Sequence, residues 1–115
     1  MNLMTMKKLL TITLLCIGFA ASAHGDVVSN AHELTLSQFT APTTNNANIA
    51  FKECEDCEQV RTRVTDATSY SFDGRHVRLD EFRAAVAQVR DRDESFVTVL
   101  RHLESNTVLA ISVTH

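Results

Sequence analysis

Residues 52–59 of this chain read KECEDCEQ, placing Cys54 and Cys57 three apart among four acids. Such a pair can be a redox centre, half of a metal site or a structural bridge. A reactive thiolate needs a helix N-terminus or nearby positive charge. Glu53, Glu55, Asp56 and Glu58 supply the opposite field, which disfavours the thiolate. No βαβ pattern surrounds the motif, and the single proline, Pro42, lies upstream of it. A zinc site would need two further ligands. There is no second C-x-x-C and no H-x-x-x-H spacing, and His76, His102 and His115 are scattered along the chain. The expectation is a Cys54–Cys57 disulfide closing a small ring at a turn. A thiol redox or metal-binding role at the same two cysteines is the alternative. Neither a metal nor a cofactor is assigned.

The second group is cationic. In VRTRV, Arg61 and Arg63 alternate with Val60 and Val64, and in HVRL, His76 and Arg78 alternate with Val77 and Leu79. Period two puts each set on one side of its strand. Arginine holds carboxylates and phosphates with two donors at once. Arg61, Arg63, His76 and Arg78 therefore form a candidate face for an anionic ligand or partner. The competing reading is a solvated sheet face.

The third group is apolar. SFVTVLRHL (95–103) and TVLAISVTH (107–115) carry apolar residues on both faces, as strands covered on both sides do. Strict alternation sets Phe96 and Leu100 against Val97, Val99 and Leu103, and Val108 and Ala110 against Leu109, Ile111 and Val113. Val97, Val99, Leu103 and Val108 form a candidate apolar interface. One helix cannot cover two faces, so the second calls for the 27–39 segment, another subunit or a partner protein.

The elements that must position these groups are legible in outline. NIAFKE and VRTRV alternate as strands. SYSFDGRHVRL (69–79) reads as a hairpin, with Asp73-Gly74 in a type I′ turn. Asp80 can cap a helix whose apolar stripe is Phe82, Ala85, Val86 and Val89, ending near Arg90 or Asp91. Glu104-Ser105-Asn106 turns the last two strands into a second hairpin. The resulting fold class is α+β, a small two-layer sandwich with one helix on an antiparallel sheet of four to five strands. The order is strands, hairpin, helix, hairpin.

Upstream lies a leader. Lys7 and Lys8 precede an apolar run from Leu9 to Ala20, and Ala21-Ser22-Ala23 matches a signal-peptidase site. Residues 1–23 are expected to be a signal peptide cleaved after Ala23, 24–48 a flexible segment and linker, and 49–115 the small domain. No stable membrane span is expected after cleavage. The destination is the periplasm or the exterior, which favours disulfides. Cleavage would also leave His24 as the new N-terminus. Its amine and imidazole, with His32 nearby, are copper-type donors, but nothing else in the chain supports that use.

Of 11 basic and 14 acidic residues, only Lys7 and Lys8 leave with the leader, so nine face 14 and the mature net charge is −5. That excludes broad nucleic-acid binding, which needs a positive field. There is no G-x-S-x-G, no H-E-x-x-H and no glycine-rich phosphate loop, with three glycines in all. The expected function is a non-enzymatic binding or envelope-accessory protein that engages a protein partner or a second copy of itself.

Overall fold

The computed structural model describes residues 28–115. The expected signal peptide and His24 lie outside them. In chain order the elements are β1 (Ser29–Thr35), a 3-10 turn (Leu36–Gln38), β2 (Ala47–Phe51), β3 (Val60–Val64), β4 (Ser69–Phe72), β5 (Arg75–Val77), the helix α1 (Leu79–Ala87), β6 (Phe96–His102) and β7 (Thr107–Thr114). Among the described residues, no helix is long and apolar enough to cross a membrane.

All seven strands belong to one sheet. Its main path runs β1-β6-β7-β3-β2, with β4 on the same edge of β7 as β3, and β5 outside β4. The sheet is mixed, not antiparallel. β3 and β4 run parallel to β7, while the β1–β6, β6–β7, β2–β3 and β4–β5 pairs are antiparallel. Alternation in sequence reveals a strand but not its partner. The parallel pairs arise because α1 and β6 carry the chain away from β4 before β7 returns beside it.

Both hairpin turns form where the sequence places them. Asp73 has φ 49° and Gly74 φ 84°, and Asn106 closes the second turn with φ 53°. These left-handed conformations suit Gly, Asn and Asp. Between β3 and β4 the chain breaks at 65–68. The Thr68 N–H donates to the Thr65 carbonyl (3.0 Å), and the Thr68 hydroxyl donates to the Val108 carbonyl (2.6 Å). This side chain is buried and stitches the break to β7.

Residues 29–39 belong to the sheet and core, although the sequence reading placed them in a loosely held segment. β1 pairs along its full length with β6. Leu34, Leu36 and Phe39 are buried. Three apolar side chains in this short stretch offset the entropy of ordering it. The segment thus extends the sheet edge instead of lying over a face.

The helix covers part of the inner face. Phe82 is fully buried, and its ring lies 5.2 Å from that of Tyr70 on β4. The first turn is closed by the Arg78 backbone N–H donating to Glu81 Oε1 (3.3 Å), half of a capping box. The helix ends at Ala87, earlier than its apolar stripe suggests. Gln88 and Val89 N–H groups bond three residues back, and the Arg92 guanidinium donates to the Val86 carbonyl (3.0 Å). A cation there satisfies an orphan carbonyl and the negative helix end.

The sheet itself covers the rest of the core by curling. β1 and β2 are opposite ends of the main path, yet His32 of β1 packs edge-on against Phe51 of β2, with ring centroids 5.3 Å apart. The two-layer description therefore holds only in part: one helix and a rolled, mixed, mostly-sheet wall enclose one core.

Candidate functional site

The cysteines sit in the loop joining β2 to β3. Cys54 and Cys57 are disulfide-bonded, with Cα atoms 5.0 Å apart. The Cys57 N–H donates to the Cys54 carbonyl (3.2 Å), so the bridge staples a turn. So small a ring contributes about 2 kcal/mol by loop entropy. Among the described residues, no three His, Cys, Asp or Glu side chains are grouped as a metal site.

Beside the bridge, Glu53 reaches back across the seam between β1 and β2. His32 Nδ1 is hydrogen-bonded to Glu53 Oε1, and Arg101 Nε donates to His32 Nε2 (3.1 Å). An acceptor role at Nε2 puts the ring proton on Nδ1. Arg101 Nη1 also donates to Asn106 Oδ1 (3.0 Å), and Asn106 Nδ2 donates to the Arg61 carbonyl (3.1 Å). Both nitrogens of the imidazole are occupied. The Glu–His–Arg chain closes the rolled sheet. No local spacing in the sequence announces this group, because its members are brought together only by the pairing and curling of the strands.

The four expected cationic residues fall into two places. Arg61 and Arg63 lie across from Ala50 and Asn48 on the β2–β3 pair. They line a cavity of about 400 Å³ together with Asn106. His76 and Arg78 lie on a different cavity, of about 700 Å³. The two share no lining residue. Period two groups residues within one strand, but the break at 65–68 separates β3 from the β4–β5 hairpin.

The expected apolar interface has the opposite orientation from an accessible one. Val97, Val99 and Val108 are buried in the core, and of the four only Leu103 is exposed. A β-bulge is the reason for Val108. Leu100 pairs with Ala110 but Arg101 with Val108, leaving Leu109 as the extra residue. A bulge resets the alternation, so Val108 joins Ile111 and Val113 inside. The outer face carries other residues. Ala31, Leu100, Ala110 and Ser69 form one cross-strand row, and Glu33, Thr98, Ser112, Ser71 and His76 form the next. None of them is buried. Phe96 at one end of the hairpin is 58% exposed, and Leu103 and Leu109 at the other are 38% and 39% exposed.

The larger cavity is a cleft between the loop before β2, the β4–β5 hairpin and the first turn of α1. Its lining includes Thr43, Thr44, Tyr70, His76, Arg78 and Arg83. Asn46 Nδ2 donates to Asp66 Oδ1 (3.0 Å), which ties the 43–46 loop to the strand break and holds that wall in place. Arg78 forms long ion pairs with Asp80 (3.4 Å) and Glu81 (3.5 Å). Burial pushes the Tyr70 phenol above its ordinary value, so it stays a protonated donor. Arg83 escaped the sequence reading, although its spacing of three from Asp80 places both on one side of the helix.

Comparison of the chain with family models, curated proteins and solved structures returned no match.

Proposed function

We propose that this protein is an exported, non-enzymatic binding module that engages a protein partner through its outer sheet face. The observation that carries this reading is the uncovered outer side of the β6–β7 hairpin. Phe96, Leu100, Ala110 and Leu109 present apolar surface there, and no residue of the central rows is buried. Apolar residues at both ends of a face whose middle row is polar match the mixed composition of a non-obligate protein interface. The leader pattern at 1–23 and the Cys54–Cys57 bridge both suit an oxidising compartment outside the cytoplasm.

Site-specific photo-crosslinking in cells tests the reading. A photoreactive side chain at position 96 should give one discrete adduct in the envelope fraction. The same probe at Gln88, exposed beyond the helix, should give none. Leu100→Asp should abolish the adduct from position 96 while leaving the export and disulfide intact. Equal adducts from positions 96 and 88, or no dependence on Leu100, would refute an outer-face interface.

A thiol role is the second reading, because Cys54 is exposed and lines a further cavity of about 570 Å³ with Lys52 and Gln59. Rapid reduction by mild dithiol, followed by alkylation near neutral pH, would favour it.

A further inference from the structure

The cleft at the start of α1 has features that the sheet-face reading does not use. Two guanidinium side chains, Arg78 and Arg83, line it from the start of the helix, and His76, the last residue of an outer-face row, lies at its rim. Asp80 is the only acid in its lining. In a chain with 14 acids and 11 bases, that is a local reversal of charge. Arg83 has no ion pair among the described residues, and the Arg78 pairs are long and solvent-exposed. Such pairs exchange readily for a better acceptor. The positive end of the helix dipole adds to the same field.

A second observation is independent of these charges. Tyr70 lines the cleft and is only 4% exposed, and its hydroxyl is the one buried side-chain polar atom without a hydrogen-bond partner among the described residues. A buried donor left unpaired is costly and is seldom left so without a reason. The cleft is also far larger than a bare oxyanion, and Tyr70, Val77 and Leu79 give it an apolar side.

We propose that this cleft binds a small organic phosphate monoester. Arg78 and Arg83 take the phosphate oxygens as bidentate donors. The organic body lies against Tyr70, Val77 and Leu79, and a small shift of the ring on binding brings the Tyr70 hydroxyl, which is sealed from solvent in the free protein, to an acceptor on the ligand. A phosphate fits better than a carboxylate because it offers three oxygens to a wall with several donors, the two guanidinium groups and the Thr43 hydroxyl among them. The proposal stands apart from the sheet-face interface and does not require it.

Tyr70 also provides the assay, since the chain has one tyrosine and no tryptophan. Cyclohexyl phosphate, which does not absorb where tyrosine does, should change the Tyr70 fluorescence saturably, with a Kd of about 1 mM or tighter. Cyclohexanol should not, and inorganic phosphate should bind more weakly for want of the apolar body. Arg83→Gln should weaken binding about tenfold, the loss expected for a charge-assisted contact. Arg90→Gln, exposed beyond the cleft on the same segment, should leave it unchanged. Tyr70→Phe, read by calorimetry, should weaken it several-fold without loss of fold. Equal binding of cyclohexanol, no saturable response, or equal effects of Arg83→Gln and Arg90→Gln would each overturn the proposal.

Discussion

Replacing His32 by alanine tests the view that the sheet is rolled shut by one side chain. His32 is 3% exposed and bridges Glu53, Arg101 and the ring of Phe51. Hydrogen bonds to charged groups contribute about 1.5–3 kcal/mol when well buried. The Glu53 carboxylate is 42% exposed, so its bond is discounted for solvent screening to about 1 kcal/mol. The partly buried Arg101 bond adds about 1 kcal/mol. Loss of the ring beside Phe51 adds about 1 kcal/mol more. The total is about 3 kcal/mol, or a fall in Tm of roughly 12–24 °C for a domain of this size. His32→Phe keeps the ring and should recover about a third of the loss. Thermal unfolding followed by circular dichroism reads both variants. A drop under about 4 °C for His32→Ala would show that the seam is held by something other than His32.

Cys54→Ser/Cys57→Ser should fold but lose about 2 kcal/mol, seen as a lower urea midpoint with unchanged slope. Thr68→Val leaves the Val108 carbonyl and the Thr65 N–H without their buried hydroxyl partner, and should cost about 2–3 kcal/mol in the same assay. Tyr70 should titrate above its ordinary 10.0, visible without interference as the phenolate absorbance of the only tyrosine. Because the folded phenol holds its proton longer than the unfolded one, its contribution is full below pH 10.0 and is lost as pH rises from there through the folded value. Tyr70→Phe should flatten that alkaline loss, and an unchanged alkaline limb would contradict the burial argument.

Several parts of this molecule were legible because their causes are local. Asp73-Gly74 makes its turn from the conformations those two residues tolerate. Phe82 and Val86 are buried as their helical spacing requires, and Val89 is buried from the turn that follows. The Cys54–Cys57 bridge joins residues three apart and needs no distant partner. The candidate site was less legible. His76 and Arg78 do meet, yet Arg83, Tyr70 and the threonines of the 43–44 loop join them only through packing. Val108 faces inward because of a bulge at Leu109 that no pattern of alternation announces.

Steric limits and side-chain periodicity, which act within a few residues of one another, mark β2 to β7, both hairpin turns and the start of the helix in the sequence, but not β1 or the early end of the helix. Only the tertiary structure decided that 29–35 closes an edge, that β3 and β4 run parallel to β7, and that the sheet curls on itself. His32 meets Glu53 and Arg101 across 21 and 69 residues of chain. Such contacts depend on which strands pair and how strongly the sheet twists, and those are properties of the whole core.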